Sequence, residues 1–110
     1  MGDRLLLSSS VMVDFSLHGV WRNGAFSVLP ARTWNILAYL AEHPNRVISS
    51  EQLLAVGWPG ELRAPADLSR HIHRIRQLIE PDSSSSTILV TYRGVGYCLK
   101  CRDSSSSFVS

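Results

Sequence analysis

The stretch from Pro65 to Glu80 constrains this chain more than any other. Proline is tolerated in the first turn of a helix, where its missing N–H has no partner to lose, and Pro81 cannot continue one, so the segment reads as a helix with both ends marked. At 100° per residue, Ile72, Ile75 and Ile79 fall within about 40° of Leu68 and form a single apolar stripe with it. Arg70, His73, Arg74 and Gln77 fall on the opposite side, at about 140–240° on the same wheel, with Arg76 on a flank. Such a helix docks on a core by one face only and holds its basic face outside.

The preceding residues supply two more helices. Pro30 stands at the first helical position of a segment in which Trp34, Ile36, Leu37, Ala38, Leu40 and Ala41 recur at helical spacing as far as His43, before Pro44-Asn45. Ser49 lies three residues ahead of Gln52, the spacing of a capping box, and Val47-Ile48 is placed to staple against Leu53. A short second helix therefore starts near Ser50 and stops at Gly57 and Pro59-Gly60. Trp58 to Pro65 is a loop on composition.

Strands flank the helices. Val11 to Phe15, Gly19 to Arg22 and Ala25 to Leu29 read as a small β-meander, with Asn23-Gly24 as a two-residue hairpin turn. Leu5 to Leu7 can add an edge strand, with Ser8 to Ser10 as the turn. After the serine run 83–86, Thr87 to Thr91 alternates as a strand, Arg93 to Gly96 is a glycine-rich turn and Tyr97 to Lys100 returns. The expectation is one α+β domain over residues 1–103: a winged helix-turn-helix with an N-terminal antiparallel sheet, three helices and a C-terminal hairpin wing. Residues 104–110 read as a disordered tail.

Charge is informative by its placement. The whole chain carries only +2, and ten of its eleven basic residues are arginine. Between Arg63 and Ile79, four arginines face only Asp67, so this short span alone carries +3. A short helix, a tight loop and a second helix with a basic outer face form the arrangement that enters a major groove, where arginine matches guanine O6 and N7. Arg70 and Arg74 are the candidate base readers, and Arg76 on its flank suits a phosphate. His73 reaches outward, and Asp67, Ser69 and Gln77 complete the candidate surface of the helix. Arg93, at a hairpin tip with Gly94 and Gly96, suits a narrow minor groove or a phosphate.

Other classes fit poorly. The Gly-x-Gly of the hairpin is followed by neither a helix nor a lysine, as a nucleotide loop requires. There is no nucleophile with its base, no paired carboxylates and no metal set, so an enzyme is not expected, nor a cofactor or small-molecule ligand. His71 and His73 lie about 200° apart around a helix and cannot chelate one metal. His71 reads as a packed histidine. Cys98 and Cys101, three apart in a strand, should face opposite sides, which argues against a redox pair. Trp21, Trp34 and Trp58 read as core or loop packing. No apolar run reaches membrane-spanning length, and a cytoplasmic location follows by default.

From Ser10 to Lys100 the chain resembles the OmpR/PhoB-type winged-helix effector domain of bacterial transcriptional regulators. Thr91-Tyr92-Arg93-Gly94-Val95-Gly96-Tyr97 is similar to that family's wing signature Thr-Val-Arg-Gly-x-Gly-Tyr. Further likeness lies in Arg46-Val47-Ile48-Ser49 leading to Glu51-Gln52-Leu53-Leu54 and Trp58, and in His71-Ile72-His73-Arg74-Ile75-Arg76. The resemblance implies a third helix in the major groove, Arg93 in the neighbouring minor groove and Thr91 on a phosphate. It also implies a loop from Trp58 to Ala64 that faces RNA polymerase, with Trp58, Glu61 and Arg63 its candidate residues. A monomer in solution would bind direct repeats as a head-to-tail dimer. Thr33, Trp34, Ala66, Ser69 and Tyr92 depart from the residues common in the family. These 110 residues carry no acidic phospho-acceptor domain of the kind that precedes such an output domain in a response regulator. The alternative reading is a winged-helix protein-interaction module that docks polymerase or a sensory partner through the same loop.

Overall fold

Four short antiparallel strands, joined in sequence order, open the chain: β1 (Arg4–Ser8), β2 (Val11–Asp14), β3 (Gly19–Arg22) and β4 (Ala25–Val28). The computed structural model describes residues 3–82 and 86–101; the serines at 83–85 and the expected tail at 104–110 lie outside the described residues. Val13 pairs with Val20, and both are buried on the face turned to the helices. Leu6, Met12, Trp21 and Phe26 pair in one row across the opposite face. Asn23 and Gly24 both take positive φ, 52° and 83°, the pair a type I′ hairpin turn needs.

Three helices follow: α1 (Ala31–Glu42), α2 (Ser50–Gly57) and α3 (Pro65–Ile79). Pro30 stands one position earlier than the sequence implied, as the N-cap of α1 rather than its first helical residue. The apolar stripe of α3 is the expected one: Leu68, Ile72, Ile75 and Ile79 are all buried, in one cluster with Ile36, Leu37 and Leu40 of α1 and Leu53 of α2. Among the described residues no helix is long and apolar enough to cross a membrane.

The C-terminal hairpin is β6 (Leu89–Tyr92) and β7 (Gly96–Leu99), but it is not alone. Val47–Ser49, expected only to staple α2, forms a strand, β5, that pairs antiparallel with β7, giving a three-stranded sheet of order β5-β7-β6. Val47 is accordingly exposed while Ile48 points into the core. Ser49 still caps α2, its Oγ accepting from Gln52 N at 3.1 Å. The Gln52 side chain does not return the bond; it donates to the Tyr39 hydroxyl.

Strand β6 begins two residues later than its alternation implies, because the amides of Thr87 and Ile88 are taken by a side chain. The Glu80 carboxylate, 1% exposed, accepts from Thr87 N, Ile88 N and Leu89 N at 2.7–3.1 Å and from the Thr87 hydroxyl at 3.2 Å. A buried carboxylate is tolerated where several donors replace its water. This one joins the end of α3 to the start of the hairpin.

Candidate nucleic-acid interface

The outer face of α3 is assembled by what holds its two ends. At the N-terminus Asp67 Oδ2 accepts from Ala64 N at 3.2 Å, the half of a capping box that alanine at the N-cap leaves available. Ser69 Oγ donates to the Pro65 carbonyl at 3.3 Å. These two candidates thus spend their hydrogen bonds on the first turn of the helix. At the C-terminus Arg22 of β3 donates through Nη1 to the carbonyls of Gln77 at 3.0 Å and Leu78 at 3.4 Å. A cation there complements the helix dipole and fixes the helix to the N-terminal sheet.

Between these ends Arg70, His73, Arg74 and Gln77 are exposed on one side. Among the described residues none hydrogen-bonds or ion-pairs with Arg70 or Arg74. Their guanidinium donors are available to a ligand, and side by side they form a fork-bearing surface suited to base edges or phosphates.

The wing stands beside this helix. The Val95 amide donates to the Tyr92 carbonyl at 2.9 Å to close the turn, and Gly94 takes a φ of 79°. Arg93 is exposed at that tip. The Ser50 amide reaches across to the Val95 carbonyl at 3.1 Å, so the first residue of α2 anchors the turn. Ser49 of β5, Ser50 and Glu51 of α2, Pro65 of α3 and the whole run from Thr91 to Tyr97 line an open groove of about 670 Å³. The start of α3 and the wing therefore bound one surface.

Arg76 behaves differently from the other arginines. Its Nε and Nη2 both donate to the Leu89 carbonyl, at 3.0 and 2.8 Å, and Nη2 also donates to Thr91 Oγ1 at 2.7 Å. The guanidinium carbon lies 6.0 Å from the Tyr97 ring. The residue that the flank position suggested for a phosphate is engaged with β6 and β7, and joins α3 to the wing.

The loop from Trp58 to Ala64 is built on its first residue. Trp58 is 4% exposed, with the guanidinium carbons of Arg32 and Arg63 at 5.0 and 5.8 Å from its ring and His71 packed edge-on at 5.4 Å. Of the two sequence readings of Trp58 the packing one holds and the partner-facing one is corrected: the indole anchors the loop to the core. The rest of the loop is exposed, with Glu61 and Arg63 ion-paired at 2.9 Å and Leu62 between them 100% exposed. Arg32 Nε donates to the Gly57 carbonyl at 2.8 Å and ties the same corner to α1.

His71 is packed, as its place beside the stripe implied. Its Nδ1 is 2.8 Å from the hydroxyl of Thr33, a fully buried residue of α1. Burial first, and then the charges of Arg74, Arg32 and Arg70, hold the imidazole below its ordinary value, against the weaker pull of Asp67. The unfolded chain therefore binds more protons at this residue than the folded one does. Its contribution to stability is complete above about pH 6.5 and is lost as the pH falls through the lowered folded value. The thermal midpoint is expected to fall between about pH 7 and pH 5, and His71→Asn, which can still accept from Thr33, to remove that part of the fall. An unchanged pH profile in His71→Asn would exclude His71 as its source. Asp14, lowered chiefly by the Trp21 indole N–H at 2.9 Å, acts in a separate acid window below about pH 4.

The cysteines depart from the strand argument. β7 ends at Leu99, so alternation does not govern Cys101, and both Cys98 and Cys101 are buried. Cys101 Sγ donates to the Leu6 carbonyl at 3.2 Å. Burial raises the Cys98 thiol, which lowers its reactivity. Arg22 and Glu80 were not singled out by sequence reasoning, and Thr33 was noted only as a departure from the family's usual residue, with no role assigned. Glu80 alone carried a signal, as an acid wedged between the last isoleucine of the apolar stripe and a proline.

A helix with a free basic face, joined to an arginine-tipped hairpin beside it, defines a winged helix of the nucleic-acid-binding kind. Residues 26–99 match the family described as "Transcriptional regulatory protein, C terminal", and the chain belongs to that family, the OmpR/PhoB-type winged-helix domain. It is 35% identical over 101 residues to the sensory transduction protein RegX3 of Mycobacterium tuberculosis, covering 91% of this chain and 44% of that protein. It is 34% identical over 96 residues to the DNA-binding response regulator MtrA of Mycobacterium leprae, covering 84% and 42%. The response regulator DrrB of Thermotoga maritima, an OmpR/PhoB homologue, superposes with a TM-score of 0.79 at 28% identity, over 89% of this chain and 44% of DrrB. The chain thus spans less than half the length of these relatives.

Proposed function

We propose that this chain is a sequence-reading, double-stranded DNA-binding domain, the cytoplasmic output module of a response-regulator-type transcription factor. The observation that carries the reading is the pairing of unengaged Arg70 and Arg74 on the outer face of α3 with Arg93 at the tip of a wing held against the same helix. α3 enters the major groove, where Arg70 and Arg74 read bases, with His73 and Gln77 beside them. Arg93 enters the adjacent minor groove, and Thr91 donates to a phosphate. The chain is a monomer in solution, and two copies bind direct repeats head to tail.

The test is fluorescence anisotropy on a duplex recovered from a random pool by the wild-type chain. Arg74→Ala is expected to weaken binding by roughly 10- to 100-fold and to relax the base preference at one position. Arg93→Ala is expected to weaken it less, with the loss confined to duplexes with a narrow, A·T-rich minor groove beside the site. Unchanged affinity and unchanged salt dependence in both variants would end this assignment.

A second reading rests on Leu62. A fully exposed leucine, fixed between ion-paired Glu61 and Arg63 over a buried tryptophan, is a preformed protein contact, and RNA polymerase is the partner we assign to it. The two readings are compatible, since this loop and the wing-lined groove share no lining residue.

A further inference from the structure

The contacts of Arg76 give it a role that neither base reading nor direct phosphate contact describes. A guanidinium carries only N–H donors, so Arg76 Nη2 must donate to Thr91 Oγ1 and cannot accept from it. The hydroxyl therefore has its single hydrogen left to give elsewhere. The donor is charged and the bond is short at 2.7 Å, so the hydroxyl is polarised and becomes a better donor in turn. Thr91 is exposed and lines the groove shared with Arg93, Ser50 and Pro65. The same guanidinium grips the Leu89 carbonyl twice, which fixes β6 relative to α3.

We propose that Arg76 is a positioning residue for DNA binding: it holds the wing at a set distance from α3 and commits the Thr91 hydroxyl to donate outward, to a backbone phosphate oxygen. This deepens the DNA-binding reading and rests on it. Lysine at 76 keeps the charge and can meet a phosphate, but with one ammonium on a flexible stem it cannot span the Leu89 carbonyl and Thr91 Oγ1 in the planar fork arginine provides. A direct phosphate contact would survive that change; a positioning role would not.

The experiment is a double-mutant cycle on the 110-residue chain, with the duplex recovered from a random pool by the wild type. Arg76→Lys and Thr91→Val are each expected to lose roughly 10-fold in affinity, and the double variant little more than either, because both remove one charge-assisted contact. Thr91→Ser should bind as the wild type does. The slope of log affinity against log salt should be unchanged in all of these, since no phosphate-neutralising charge is lost. Thermal midpoints and helical circular dichroism, measured alongside, establish that Arg76→Lys is folded. If it is not, Thr91→Val against Thr91→Ser decides: equal affinities overturn the proposal. Wild-type affinity in Arg76→Lys, or losses that simply add, also overturns it and leaves DNA binding standing. If the wild type itself binds no duplex, the DNA-binding reading falls, and the role of Arg76 with it.

Discussion

Gly96→Ala is expected to dismantle the wing and abolish DNA binding. A Cβ at this position would fall inside the van der Waals shell of the Ile48 carbonyl oxygen and 2.8 Å from both the Ile48 carbonyl carbon and Ser49 Cα. All three are backbone atoms of β5, so no rotamer change relieves the overlap. Gly96 pairs with Ser49 on one side and Tyr92 on the other, so β5 and β7 must part, and the Ser50 to Val95 bond at the tip goes with them. Forced separation of a buried ladder belongs with the severe substitutions, at about 3 kcal/mol or more. For a domain of this size that lowers the thermal midpoint by roughly 12 °C or more. Thermal unfolding and anisotropy on the selected duplex check the expectation together. A variant with the wild-type midpoint would mean that β5 does not approach Gly96 this closely.

Glu80→Ala is expected to cost about 2–5 kcal/mol, because it strands the buried amides of Ile88 and Leu89, each worth about 1–3 kcal/mol when left unpaired, and releases the part-buried amide and hydroxyl of Thr87. The terms do not add, since the freed segment can open to water and recover part of the loss. Glu80→Gln retains one acceptor oxygen in the same shape and should lose roughly half as much. Its amide group adds donors where only donors converge. Denaturant titration of the three proteins measures the differences directly. A loss below about 1 kcal/mol in Glu80→Ala would show that the amides of Thr87, Ile88 and Leu89 do not depend on this carboxylate.

Much of the fold was legible because its boundaries are marked by residues with strong local rules. Pro65 and Pro81 bracket α3, Asn23-Gly24 sets the first hairpin, and the isoleucine spacing places the stripe. β5 was missed because three residues give too little alternation to register, and its pairing with β7 depends on a glycine nearly fifty positions away. The exposed arginines of α3 and the wing could be read from a wheel and a turn. The engaged ones could not. Angle alone gave Arg76 to a phosphate, whereas the carbonyl of Leu89 and the hydroxyl of Thr91 come within its reach only once β6 is folded. Trp58 reads two ways in the sequence, as packing from its size and as partner-facing from its loop; the packing reading holds, but the arginines at 32 and 63 and the His71 that receive it could not be read from spacing. The anchors of this site are long-range contacts, and spacing along the chain does not carry them.

The carboxylate knot at Glu80 also separates what the molecule must keep from what it can vary. Both ends of the connection between α3 and β6, Glu80 on one side and Thr87 on the other, meet at the same pair of oxygens. Those bonds hold the end of α3 and the start of β6 to each other directly. For a flexible loop between fixed ends, closure costs only about 0.6 kcal/mol more for each doubling of its length. A linker, tag or reporter inserted between Pro81 and Ser86 is therefore expected to hang from a closed clasp and to leave the thermal midpoint close to that of the uninserted chain.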